Sequence, residues 1–410
     1  VLSLIIDHRG ITPKQLGSDW STNGIPVLSA KNIKPGKIVN EQDIRFVSQK
    51  LYEKWMPEKL EDGDILLTSE APLGELYFLK RKKDYVLSQR LFALRTNRKK
   101  LNSRYLYFYL QGSIGREELL RRLSGTAAEG IRQTELRKIN VEFPEDILEQ
   151  EKIASILSAF DDKIEVNNKI AKTLEEMAQA IFKEWFVNFR FPGWGKTEFI
   201  DSELGKIPKE WQIKNLGQVL ILKHGFAFKS EQFTTNKTKN IVVRMGNFQE
   251  TKGLQFLDNT FYLTDVDKYN KYILKSGDIV MIFSDITREG RLIGKVGLIP
   301  NDNNIFFLNQ RVAKIEYDKI YKYFLLALFN SKEFHQHCLS RADSATVLNL
   351  KNEHIYEYKI VLPGEIMLGC FNNIMRPILI KTESVKSENK KLAALRDLLL
   401  PKLMRGEIRV

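Results

Sequence analysis

This chain repeats itself, and that limits what it can fold into more than any other feature. Gly63-Asp64-Ile65 returns as Gly277-Asp278-Ile279, and Leu87-Ser88-Gln89-Arg90 returns as Leu308-Asn309-Gln310-Arg311. Ile25-Pro26-Val27 through Asn32-Ile33 answers to Ile241-Val242-Val243 through Asn247-Phe248, and His8-Arg9-Gly10 answers to His224-Gly225. The separation is about 214 to 221 residues, with small insertions. Tyr105-Leu106 and Tyr323-Phe324 each open a helical apolar run. Each half then closes on a strand-like stretch and a proline, Pro144 and Pro363. One kind of domain is therefore expected twice.

The period of the apolar residues sets its class. Short alternating or apolar runs predict strands at 25–29, 64–68 and 90–95, and again at 241–245, 278–283 and 311–316. Helical spacing covers about 103–122 and 320–339. The expected fold class is α+β, with two similar mixed α/β domains. Gly63-Asp64 and Gly277-Asp278 read as turns whose carboxylates have no partner.

A long helix follows each closing proline. In the first, Leu157, Ile164, Ala171, Ala178 and Trp185 recur every seven residues, interleaved with Ile153, Phe160, Asn167, Leu174 and Ile181. Alternating steps of four and three are the seam of a coiled coil. A constant shift of 221 carries the seam to Ile378, Val385, Leu392 and Leu399, and to Ile374, Lys381, Glu388, Leu395 and Lys402. The second seam is the more polar, and Pro401 is expected to break or end its helix. Two copies of one unit tend to pack with pseudo-two-fold symmetry, so the two helices should form an antiparallel coiled coil. The resulting segments are 1–144, the first mixed domain; 145–190, the first long helix; 191–216, a linker and lead-in; 217–363, the second domain; and 364–410, the second helix. No counterpart of the lead-in precedes Val1, so a further N-terminal segment is expected.

Charge points to a partner. Lys and Arg number 64 against 51 acids, a net +13. Such an excess suits a polyanion, most often nucleic acid. Cys338 and Cys370 are the two cysteines, and neither has metal-ligand or CxxC spacing, so no metal and no disulfide framework is expected. Sparse thiols fit the reducing cytoplasm. No apolar run approaches the roughly 18 residues of a membrane span, so no membrane association is expected.

Catalytic signatures are missing. No consecutive prolines occur, so no Asn/Asp-Pro-Pro-aromatic methyltransferase motif exists. Gly290 to Lys295 resembles a phosphate loop but is one residue short, with Val296 where Ser or Thr is needed. His335 and His337, two apart on a helix, should point away from each other. No cofactor of its own is expected.

Candidate DNA contacts come from polar or Gly-rich loop segments. In the first half they are Lys31, Asn32, Lys34, Ser69, Arg90, Thr126, Arg132 and Gln133. In the second they are Arg244, Asn247, Arg288, Arg291, Arg311, Lys351 and Asn352. Arg and Lys suit guanine; Asn and Gln suit adenine. Residues shared by both halves, such as Arg90 and Arg311, should serve folding or phosphate contact, and residues that differ should carry specificity. Lys80-Arg81-Lys82-Lys83 reads as a solvated face or a non-specific phosphate track.

The ordered set, occurring twice and each time followed by a long helix, resembles the specificity subunit of type I restriction–modification systems. The helix ends carry the likeness best: Phe182-Lys183-Glu184-Trp185-Phe186-Val187-Asn188-Phe189 with Ile207-Pro208-Lys209-Glu210-Trp211, and 398–408 with Leu400-Pro401-Lys402-Leu403 at its centre. The resemblance spans essentially the whole chain. It implies two target-recognition domains that each read half of a split double-stranded DNA site. It also implies helices that dock two adenine-methylating modification subunits, with or without restriction subunits, and a chain that is no enzyme itself. The abrupt start leaves the first strand of the first domain in question. The alternatives are a DNA-modifying enzyme with undetected motifs and a coiled-coil scaffold that never touches DNA.

Overall fold

The computed structural model describes all residues except 124–129, 250–252, 257–259, 265, 288 and 344–346. The chain forms two compact units: Val1–Lys169 with Val385–Val410, and Ile170–Ser384. Each unit takes one mixed domain together with part of each long helix.

In the first unit a four-stranded antiparallel sheet runs in the order Leu2–Asp7, Leu91–Thr96, Ile65–Thr68, Leu76–Phe78. The questioned first strand is present, with Asp7 opposite Phe92. Ile65–Thr68 is buried at every position, which is why its sequence shows no alternation. A smaller sheet pairs Ile25–Leu28 antiparallel to Arg45–Val47 and parallel to Val86–Leu87. The Asn102 side chain caps helix Ser103–Gln111 by accepting from the Arg104 and Tyr105 amides. That helix packs Tyr105, Leu106 and Phe108 into one core with Ile153, Leu157 and Leu403 of the long helices.

The second unit repeats the plan. Its sheet order is Leu220–His224, Val312–Tyr317, Ile279–Ile282, Val296–Leu298. His224 lies opposite Ala313. Its counterpart on the first sheet is therefore Asp7, one residue before the His8 that the sequence repeat suggests. The small sheet holds five strands, with Asn240–Val243 parallel to Ile305–Leu308. Residues 191–216 do more than lead in. They form a hairpin, Phe199–Ser202 against Gly205–Pro208, and a strand, Gln212–Asn215, that pairs with Lys359–Leu362.

Within each unit the long helices run antiparallel. In the first, Asp161 meets Arg396, and further along Asn167 meets Glu388 and Asn389. Leu157 is buried there, with Phe160 and Ile164 half-buried; across from them Val385 is buried and Leu392 and Leu399 are half-buried. In the second unit Leu174 and Ile378 are half-buried.

Three expectations need correction. The second row of the seam on helix Glu365–Met404 is not Ile374 and Leu395, which are 38% and 48% exposed. It runs through Met375, Thr382, Asn389 and Arg396, one residue along. Three of these are polar and satisfied: the Thr382 hydroxyl donates to the Ile378 carbonyl, Asn389 is bonded across the seam, and Arg396 pairs with Asp161 at 2.5 Å. A reading that follows hydrophobicity passes over such a row. Second, this helix continues through Pro377 and Pro401. Each proline removes one donor, and Pro401 stands in the last turn, where little helix remains to disrupt. Third, the turn aspartates are paired. Buried Asp64 binds Arg95 through both oxygens at 2.8 and 2.9 Å, and Asp278 binds Lys314 at 2.9 Å.

Lys80, assigned by sequence to a solvated run, ties the first domain to its helix through Asp162 at 2.8 Å and Glu165 at 2.6 Å. Lys169 also bonds Glu165, and hydrogen bonds from Lys169 and Lys80 push the Glu165 carboxyl down to about 2. The ordinary carboxyl value is about 4.3. A lowered folded value stabilises the fold at pH above the unfolded value, and that contribution is lost as pH falls toward the folded one. Acidification from about pH 5 to 3 should therefore weaken the first unit less in Glu165→Gln than in the parent chain. Hydrogen exchange of residues 147–169 at the two pH values measures this; equal losses in both proteins would refute it.

Candidate nucleic-acid interface

The ends of the central strands form a polar rim in each domain. The frame is the same in both. The Ser69 amide donates to the Arg90 carbonyl at 2.9 Å, and the Ile131 amide to the Ser69 carbonyl at 2.9 Å. In the second domain the Phe283 amide donates to the Arg311 carbonyl at 3.0 Å, and the Leu350 amide to the Phe283 carbonyl at 2.9 Å. Position by position, Glu70 therefore corresponds to Ser284 and Gly130 to Asn349.

The chemistry on that frame differs. Arg90, held at φ 67°, pairs its Nε with Glu70 at 2.9 Å, which offsets its charge. Arg311 donates instead to neutral partners, the Ser284 hydroxyl at 3.2 Å and the Asn349 carbonyl oxygen at 2.9 Å, and Ser284 itself donates to Asn349 at 2.7 Å. Its positive charge is kept. Lys351 pairs with Asp343 at 2.8 Å, and Asp343 bridges to Asn349. Asn352 contacts His224 at 2.6 Å, and that imidazole stands edge-on to Phe283. Arg311, Lys351 and Asn352 are thus brought together. Ser284, Asn349 and His224 complete the cluster. The internal repeat could have found Ser284, since it aligns with Glu70.

Other candidates separate. Asn32 and Asn247 are 1% and 2% exposed. The Asn32 amide accepts from Ser29 and donates to the Val39 and Asn40 carbonyls, and Asn247 accepts from the Arg244 amide. Both are spent on their own backbone, as buried amides must be, and offer no edge to a base. Ser69 is likewise buried. Lys34 pairs with Glu75 at 3.2 Å. Lys31, Arg132 and Arg291 are exposed, and Gln133 is half-buried. Thr126 and Arg288 lie outside the described residues. Lys31 lines an open cleft of about 220 Å³ with Trp20, Arg45, Trp55 and Gln89.

Among the described residues no three His, Cys, Asp or Glu side chains converge as a metal site. Burial pushes the Cys338 thiol up to about 12, which keeps it protonated. The Gly290–Lys295 turn is packed inward, since a Cβ on Gly294 would stand 2.5 Å from the Cys338 sulfur. His335 and His337 bond separate carbonyls, those of Ile293 and His354. Among the described residues, no helix is long and apolar enough to cross a membrane.

The model of the type I restriction modification DNA specificity domain matches this chain twice, over residues 4–176 and 208–365. The chain belongs to that family. It is a type I specificity subunit, and relatives span its length. The MjaIX specificity subunit of Methanocaldococcus jannaschii is 25% identical over 98% of this chain and 90% of its own. The HindI specificity subunit of Haemophilus influenzae is 26% identical over 91% of this chain and 90% of its own. The crystal structure of the S subunit from M. genitalium has the same fold, with a TM-score of 0.57 at 16% identity over 98% of this chain and 93% of that one.

Proposed function

We propose that this specificity subunit reads a bipartite, asymmetric site in double-stranded DNA and catalyses nothing itself. The domains at 1–144 and 217–363 each take one half of the site. The long helices dock two modification subunits, with or without restriction subunits. Carrying the proposal is the pair of rims: one backbone frame, used twice, bears an Arg90–Glu70 ion pair in one domain and a charge-retaining Arg311–Ser284–Asn349 network in the other. Two copies of one frame with different polar edges suit two different half-sites. Arg311, Lys351, Asn352, Arg132 and Lys31 are the contacts to test first. Asn32, Asn247 and Ser69 are framework.

Cells carrying this chain and its modification partner should methylate one split sequence, mapped by single-molecule sequencing, and lose that methylation when this chain is deleted. Methylation at the same sites without it, or by the purified chain with S-adenosylmethionine alone, would defeat the proposal.

A further inference from the structure

The small sheets of the two domains can be superposed by register alone. Leu87 and Leu308 are equivalent in the repeat. Each pairs in parallel with the preceding strand, Leu87 with Leu28 and Leu308 with Val243. Counting back, Pro26 corresponds to Ile241. Their antiparallel partners are Phe46 and Tyr262. Those in turn pair with Ser21 and Thr234. Three further equivalences follow: Trp20 with Phe233, Arg45 with Phe261, and Ser29 with Arg244.

At this corner each domain places an arginine over an aromatic ring, but from different positions. In the first domain the Arg45 guanidinium stands 5.0 Å from the Trp20 ring centre. In the second, Phe233 keeps an aromatic ring at Trp20's position, a further ring, Phe261, stands at Arg45's, and the arginine stands at Ser29's, as Arg244. The Arg244 guanidinium stands 4.0 Å from the Phe261 ring centre and 5.9 Å from that of Phe233. One device is built from two different sequence patterns, which is why the linear repeat does not show it.

Neither guanidinium has a carboxylate partner among the described residues. Arg9 shows what a structural stack looks like: it lies 4.0 Å from the Phe92 ring centre but is pinned by both oxygens of Asp7. Arg244 has rings and, among the described residues, no counter-charge, and burial lowers it from the ordinary arginine value. An aromatic face supports a cation without neutralising it, leaving the N–H groups for an outside anion. In the first domain Arg45 and Trp20 line the same cleft as Lys31 and Gln89, with Asp43 its one acidic wall.

We propose that each domain seats one DNA phosphate on this ring-supported arginine, Arg45 over Trp20 in the first and Arg244 over Phe261 in the second. The proposal rests on the DNA-reading function above. A device common to both halves suits the feature common to both half-sites, the backbone, rather than the bases that differ.

The test uses the assembled complex with its modification subunits and a mixed-sequence duplex, titrated between about 50 and 200 mM salt. Each neutralised phosphate contributes roughly 0.9 to the slope of log affinity against log salt. Arg45→Gln and Arg244→Gln should each make the slope shallower by about that amount, and the double variant by about twice it. The methylated sequence should stay the same. Phe261→Leu and Trp20→Leu keep the charge, so they should weaken binding about two- to five-fold with the slope unchanged. An unchanged slope in the arginine variants overturns the proposal. So does a change of the methylated sequence at one base pair, which would make the arginine a base reader. If Arg244→Gln fails to assemble, Arg45→Gln and Phe261→Leu decide by the same criteria. A parent complex that binds no duplex would instead sink the function proposed above.

Discussion

Exchanging residues 1–144 for the corresponding domain of another specificity subunit should replace one half of the methylated sequence and leave the other half intact. Each wrong base pair costs a DNA-binding protein roughly 1–3 kcal/mol, so a half-site of roughly three base pairs carries about 3–9 kcal/mol, a hundred-fold or more in occupancy. An effect that large gives an all-or-none change in a methylation map. The structural basis lies in the first unit. Its rim, from Ser69 and Glu70 through Arg90 to Ile131, is built wholly from residues of that unit. The second unit's Arg311–Ser284–Asn349 network is likewise made of residues of its own unit. A swap that altered both halves of the site, or neither, would refute the division of labour.

The second large effect is on stability. Phe186, 6% exposed, sits among Phe182, Trp185, Trp211, Phe324 and Phe371, with ring centres 4.8 to 6.3 Å away. These rings join both long helices to the second domain's sheet and helices within one core. Phe186→Ala should cost about 3–5 kcal/mol, the transfer loss plus a cavity that rigid neighbouring rings cannot close. Because the chain forms two units, the loss should be local. Hydrogen exchange should accelerate about a hundred-fold or more across residues 170–384 and little across 1–123. Phe186→Leu, which fills most of the space, should lose much less. Equal acceleration in both units, or none in either, would show that this cluster does not hold the second unit together.

Much of this was legible because it depends on local pattern. The strands at 25–28, 65–68 and 91–96, and their counterparts at 240–243, 279–282 and 312–317, lie within a residue or two of the expected runs. Apolar alternation and short buried runs are properties of the strand itself. The same holds for the two long helices and for the first row of their seam. The second row was missed because Thr382, Asn389 and Arg396 are polar, and only a partner helix makes them interior.

By itself the sequence determined a duplicated α+β chain with two long helices, a basic charge and the family to which it belongs. These follow from spacing, composition and repeated motifs, which need no third dimension. The tertiary structure alone decided what each polar side chain is free to do. Asn32 and Asn247 look like adenine readers in a loop, yet burial obliges their amides to bond their own backbone. Arg90 and Arg311 look identical in the repeat, yet one meets a carboxylate and the other a hydroxyl and an amide. Arg45 and Arg244 share no position in the repeat, yet each comes to rest over an aromatic ring at the same corner of its sheet. The physical reason is common to all three. A side chain's hydrogen-bonding capacity and charge are consumed by whatever folding brings beside it, and strand pairing brings together residues that the linear order keeps far apart.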